Sequence, residues 1–132
     1  MNRTNRTITF CLALAMLAPA ATPNLMAAEL PTAIQCYQQA TNSKNIDAYM
    51  NCFTADPVMI DVSRTIQGRD AIRRWALAEV IPNGATFQHR KIIESKPGFA
   101  KTEVKWMRWV VHYSYWWDQS GKITKMSLQY RD

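Results

Sequence analysis

Asp61 is the residue best placed to do chemistry, because it is a lone carboxylate in the apolar run Val58-Met59-Ile60-Asp61-Val62, which reads as a strand. A carboxylate carried into an apolar surround can take a proton from carbon or water, or it can orient the polar end of a bound molecule. It can equally be a structural acceptor for Arg64 or Arg69. His89 and His112 fall on segments that read as strands, and either could serve as an acid-base group near neutral pH. Cys36 and Cys52 are the other reactive pair. No His or Cys pair has the spacing of a metal site, and no metal or cofactor is implied.

The elements that position these residues can be read from periodicity and breakers. Residues 33–41 and 46–53 pattern as two short amphipathic helices around the turn Asn42-Ser43-Lys44-Asn45. Lys44 is midway between Cys36 and Cys52, so in an antiparallel helical hairpin the two cysteines come opposite one another. A disulfide between them would stabilise the fold by about 3 kcal/mol in the chain-entropy model. Free thiols in the core are the alternative. Beyond the strand at 58–62, Gly68-Arg69-Asp70 leads into a third helix over 71–80, with Asp70 as its N-cap and Ile72, Trp75, Ala76 and Glu79 along one stripe. From residue 86 the chain is β-rich, with strands at 86–95, 99–107, 110–118 and 122–130. The class is α+β: a curved antiparallel sheet forming a cone-shaped cup, covered by three N-terminal helices.

Alternation then sorts side chains by face. In the last strand Thr124, Met126, Leu128 and Tyr130 form an apolar set, and Lys125, Ser127, Gln129 and Arg131 a polar one. The strand before it offers Val111, Tyr113, Tyr115 and Trp117 on one face and Val110, His112, Ser114 and Trp116 on the other. Trp75, Val104, Trp106 and Tyr115 are expected to line a pocket inside the cup. Trp117, Met126, Leu128 and Tyr130 complete its walls. Because both faces carry Trp, the convex side is either a homodimer surface or overpacked beneath a loop.

The first residues stand apart from this domain. Arg3 and Arg6 precede an uncharged, mostly apolar stretch over 8–21, and small residues follow to Ala27-Ala28. That order is expected to be a secretory signal peptide over residues 1–28, too short to span a bilayer, leaving a domain at 29–132 that is secreted or periplasmic. Without Arg3 and Arg6 the 16 cations fall to 14 against 10 acids, so the net charge drops from +6 to +4. Those cations are scattered, which argues against a nucleic-acid groove and suits attraction to anionic ligands or lipid headgroups. No stable membrane span is expected after cleavage. An even cysteine count in an oxidising compartment favours the disulfide.

The order of elements carries a resemblance, together with Asn45-Ile46-Asp47-Ala48-Tyr49, Phe53-Thr54-Ala55-Asp56, Asp61, Gly68-Arg69-Asp70-Ala71-Ile72 and Gly121-Lys122-Ile123. The chain from 29 onward resembles the nuclear transport factor 2-like superfamily, and within it the SnoaL-like and ketosteroid isomerase-like proteins. Laid on the steroid isomerases without a gap, Tyr37 falls at the oxyanion-hole tyrosine and Asp61 at the carboxylate base. Where that family has a second, protonated acid, this chain has Tyr113, whose phenol can also donate a hydrogen bond. The resemblance implies a protein that binds a small apolar or amphipathic molecule in a cone pocket. Two alternatives stay open: an isomerase, cyclase or hydratase using Asp61 with a tyrosine oxyanion hole, and a dimeric accessory domain.

Overall fold

The structure is a computed structural model that describes residues 30–131. The expected signal peptide lies outside the described residues. Helix α1 spans Thr32–Asn42 and α2 spans Ile46–Met50. Strands β1 (Phe53–Asp61) and β2 (Arg64–Gln67) form a hairpin, followed by α3 (Arg69–Trp75). The chain continues α3 as a π turn, Ala76–Val80, and a 3-10 turn, Ile81–Thr86. Strands β3 (Gln88–Lys96), β4 (Phe99–Trp106), β5 (Trp109–Trp117) and β6 (Ile123–Tyr130) complete it. No described helix is long and apolar enough to cross a membrane.

One sheet takes all six strands in the order β2-β1-β6-β5-β4-β3. The sheet departs from the all-antiparallel expectation at one seam, where β6 lies parallel to β1. Parallel neighbours need a long crossover, and the path through α3 and the β3-β4-β5 meander supplies it. A second departure concerns the start of the first strand, expected at Val58 just after Pro57. The strand instead begins at Phe53, within the range expected to be helical, and its ladder to β6 shifts between Phe53 and Val58. Such an irregularity tolerates a residue that lacks an N–H. Asp70 sits in the first turn of α3; the N-cap position is Gly68, which offers no side-chain bond.

The helical hairpin forms for the reasons its sequence suggests. Ala33, Ile34, Tyr37, Ala40 and Thr41 recur at helical spacing and are buried. Asn45 caps α2 by accepting from the Ala48 N–H at 3.0 Å. Cys36 and Cys52 are joined by a disulfide across the hairpin, with Cα atoms 5.9 Å apart. Arg69 holds the hairpin to the sheet, its Nη1 donating to the carbonyls of Met50, Phe53 and Thr54 at 3.0, 3.2 and 3.1 Å. The 3-10 turn presses on the end of α1 at Gly84, where an added Cβ would lie 2.1 Å from the Thr41 carbonyl oxygen.

The concave face is a set of rows in register. Asp61, Leu128, Tyr113 and Thr102 form one row across β1, β6, β5 and β4. Met59, Met126, Tyr115 and Ala100 form the row behind it. Tyr130, Val111, Val104 and His89 form the row in front. On the convex face, Glu103 lies among Arg90, Lys91, His112 and Arg131 at 3.7–3.9 Å. The convex Trp116 is covered by its own neighbours, with Phe99 at 5.1 Å and the Lys125 ammonium at 4.8 Å from its ring.

Candidate functional site

At the front of the cone a cavity of about 250 Å³ opens between the sheet and the end of α3. Its walls are Trp75, Trp106, Trp109, Val111, Leu128 and Tyr130, and Met107 stands at its edge. Asp61, Arg64 and Glu79 make one charged corner. Register explains the grouping. Asp61 and Leu128 are partners across β1 and β6, Tyr130 and Val111 across β6 and β5, and Trp106 and Trp109 close the β4-β5 hairpin. The π turn at the end of α3 sets Glu79 against this corner, the kind of place where such turns recur.

The electrostatics of the corner turn on Arg64. Its guanidinium pairs with Asp61 Oδ2 and with both Glu79 oxygens, the latter at 2.9 and 2.6 Å. The Trp75 indole N–H donates to the same Asp61 Oδ2 at 3.2 Å. Asp61 is 8% exposed, so it is a nearly buried carboxylate held by two donors on one oxygen. Its Oδ1 has no donor among the described residues and is free for a bound molecule. The Arg64 contact also lowers the Glu79 carboxyl below its ordinary pKa, and Glu79 holds the guanidinium protonated.

Behind the cavity the cone is filled with aromatic side chains. Tyr37, Tyr49, Tyr113 and Tyr115 are completely buried with Phe53 and Phe87. Tyr113 and Tyr115 stack with centroids 5.9 Å apart, and the Tyr49 hydroxyl donates to that of Tyr37 at 3.3 Å. Burial, before any neighbouring charge, raises all four phenols well above the ordinary range, so they are donors and not bases. The Tyr113 hydroxyl is buried without a hydrogen-bond partner. Tyr37 and Tyr113 have ring centroids 6.2 Å apart, yet no hydrogen bond of normal geometry joins their hydroxyls.

His89 is tied into the same core. Gln38 Oε1 accepts from the His89 backbone N–H at 2.9 Å and meets its Nδ1 at 2.6 Å. A backbone N–H can only donate, so that Gln38 atom is the oxygen and Nδ1 carries the proton. Nε2 therefore accepts from the Tyr115 hydroxyl at 3.0 Å. Burial lowers the His89 pKa from 6.5 to about 3, and the ring stays neutral.

The residues singled out from the sequence thus separate. Asp61 reaches the cavity with Trp75, Trp106, Leu128 and Tyr130. Tyr37 and Tyr113 lie beneath it in the aromatic fill. Val104, Tyr115 and Met126, expected on the pocket wall, are fully buried core. Trp117 packs against the core opposite Ile123, beyond the shift in the β5-β6 ladder, and lines a separate surface hollow with Thr32, Pro97, Gly98 and Asp118 rather than the cavity at Asp61. His89 and His112 are on opposite faces of the sheet, so they cannot share a metal ion, and no cluster of three metal-ligating side chains occurs among the described residues. Arg64 was named only as a possible partner of Asp61, and Glu79, Met107, Trp109 and Val111 were not expected on the cavity wall. Arg64 and Trp109 stand three positions from the wall residues Asp61 and Trp106 across tight turns, and that spacing was the available signal.

Both turns that edge the cavity break an ordinary rule. Asp61 pairs with Arg64 and Trp106 with Trp109, so each turn has only two residues at its tip. Such tips favour Asn or Gly, yet Val62 holds φ 57° and Met107 φ 52°. The left-handed region costs a side chain about 1–2 kcal/mol.

No family model matches the chain, and no curated protein sequence matches it. Solved structures do. RV0760c from Mycobacterium tuberculosis, in complex with estradiol-17beta-hemisuccinate, superposes with a TM-score of 0.67 at 14% identity, over 75% of this chain and 91% of that one. A candidate polyketide cyclase from Sinorhizobium meliloti gives 0.63 at 22% identity, over 79% and 99%. A nuclear transport factor 2-like protein of unknown function from Burkholderia xenovorans gives 0.59 at 16%, over 76% and 80%.

Proposed function

We propose that this chain, which has the nuclear transport factor 2-like fold, is an exported protein that holds a small amphipathic molecule in the mouth of its cone. The observation that carries this reading is the division of the cavity wall into an aromatic and aliphatic majority and one charged corner. Pockets for small molecules are built in this way, with a few polar groups fixing orientation. The apolar body of the molecule packs on Trp75, Trp106 and Leu128, and a hydroxyl or amine donates to Asp61 Oδ1. Its carbonyl or carboxylate shares the Arg64 guanidinium. The complex of RV0760c with estradiol-17beta-hemisuccinate supports an occupant of this kind. The apolar leader and the Cys36–Cys52 disulfide support export.

A second reading is proton transfer with Asp61 as base, favoured by the free Oδ1 and by the partnerless phenol of Tyr113. It is the weaker reading, because Arg64 already occupies one Asp61 oxygen and the phenols of Tyr37 and Tyr113 are fully buried in the aromatic fill beneath the cavity. Native mass spectrometry of the protein from an exporting host, followed by Asp61→Asn, tests both. A co-purified molecule whose affinity falls by about tenfold or less in Asp61→Asn supports the binder. A turnover on ketone, epoxide or enone substrates that drops by orders of magnitude with binding kept would replace it with the enzyme.

A further inference from the structure

Of the six large apolar side chains that the described residues leave exposed, four crowd one rim: Val62 at 36%, Met107 at 39%, Trp109 at 47% and Tyr130 at 63%. Met107, Trp109 and Tyr130 edge the cavity, and Val62 is the tip of the turn between its Asp61 and Arg64. Two tips of the same rim therefore keep a bulky apolar residue in the left-handed region. At the other end of β4, the turn through Pro97 also has one tip residue at positive φ, its second, and there the residue is Gly98 at φ 73°.

Cations outnumber acids around these side chains, with Arg131 sharing Glu103 on the convex face at 3.8 Å. The Arg108 guanidinium stacks on Trp109 at 4.8 Å. Lys105 is opposite Val110 at the base of that hairpin, and Arg131 follows Tyr130. The acids at the rim, Asp61 and Glu79, are both held by Arg64. We propose that this rim is a docking surface for an anionic phospholipid membrane. Trp and Tyr, with an apolar body and a polar edge, settle at the headgroup boundary, valine and methionine enter the acyl region, and Arg and Lys meet the phosphates. A second copy fits less well, because it would bring a second set of Arg108, Lys105 and Arg131 against the first. The docking needs no occupant in the cavity, so it stands or falls apart from the binding reading.

The test is flotation of the full chain from an exporting host with vesicles of phosphatidylcholine, alone or mixed with an equal part of phosphatidylglycerol. The chain should float with the anionic vesicles only and be released by high salt. The variant Val62→Asn with Met107→Asn replaces both tips with a residue suited to positive φ, so it should melt no lower than the parent. Its partition should fall about tenfold or more. Arg108→Glu should weaken binding to anionic vesicles while thermal melting is kept. Equal binding to both vesicles, or binding unchanged in the Asn variant, would place attachment elsewhere in the chain and overturn the proposal. Concentration-dependent dimerisation that the Asn variant abolishes, without flotation, would assign the rim to a second copy and overturn it as well.

Discussion

Tyr113→Phe and Tyr115→Phe remove the same atom from two fully buried, stacked rings on one strand, yet their effects on stability should have opposite signs. The Tyr115 hydroxyl is the only donor to His89 Nε2 among the described residues, and that imidazole is 3% exposed. Deleting it loses a hydrogen bond and leaves a buried acceptor with nothing to accept from, a loss of about 1–3 kcal/mol. The Tyr113 hydroxyl has no partner, so the folded state already carries its desolvation cost. Deleting it should be neutral or stabilise by about 1 kcal/mol, less a small loss of van der Waals contact. The two variants should differ by roughly 3 kcal/mol in urea unfolding, or about 10 °C or more in melting temperature for a domain of this size. Far-ultraviolet circular dichroism confirms that both are folded. If Tyr113→Phe costs as much as Tyr115→Phe, the hydroxyl has a partner in solution and its description as an orphan is refuted.

The unfolded imidazole of His89 takes up a proton below pH 6.5 that the folded ring refuses until about pH 3. Stability is therefore full above 6.5 and falls by about 1.4 kcal/mol per unit as the pH drops toward 3; urea midpoints between about pH 7 and about pH 5 should show that slope, and His89→Gln should flatten it. Replacing Cys36 and Cys52 together with Ala, which opens a link of sequence separation 16, should lower stability by about 3 kcal/mol, and a reductant should do the same to the parent. A loss below about 1 kcal/mol would show that the loop constraint is not what the bridge contributes. Gly84→Ala drives a methyl into the Thr41 carbonyl and should shift the urea midpoint down by the equivalent of about 1–3 kcal/mol; an unchanged midpoint would show that the 3-10 turn yields without cost.

Five of the six strands, the helical hairpin and the cysteine pairing were legible because each is a local pattern (alternation, helical spacing, or distance from a turn), whereas the short β2, Arg64–Gln67, was not expected. What else escaped depended on contacts between distant segments. The parallel seam of β1 with β6 is a property of the crossover, which no window of residues reports. Trp117 keeps the face that alternation gives it but lines a different hollow from Asp61, a matter of position along the strand that parity does not report. Tyr115, Met126 and Val104 carry the right face and the wrong depth, since face is set by parity and depth by what the helices place above them. Asp61 stood out in the sequence because a carboxylate in an apolar strand is conspicuous at any depth. Its partner Arg64 was foreseen only as one of two arginines, and the structure gives Arg69 a different task at the helical hairpin.

The depth of the cone governs the rest. Tyr37, Tyr49, Tyr113 and Tyr115, with Phe53 and Phe87, fill the space behind Asp61, and what remains is about 250 Å³ at the mouth, just under the usual range of about 300–1,000 Å³. A molecule bound there is seated against Asp61 and reaches the edge formed by Met107, Trp109 and Tyr130 within its own length. The rim then belongs to the binding surface as well as to its boundary, which gives a physical reason for apolar residues at Val62 and Met107 in a backbone conformation that asparagine or glycine would hold at lower cost. On this view the filled interior and the strained rim are one arrangement. On the proposed reading, the aromatic fill would leave part of an occupant outside the cone, against the exposed aromatic and apolar edge.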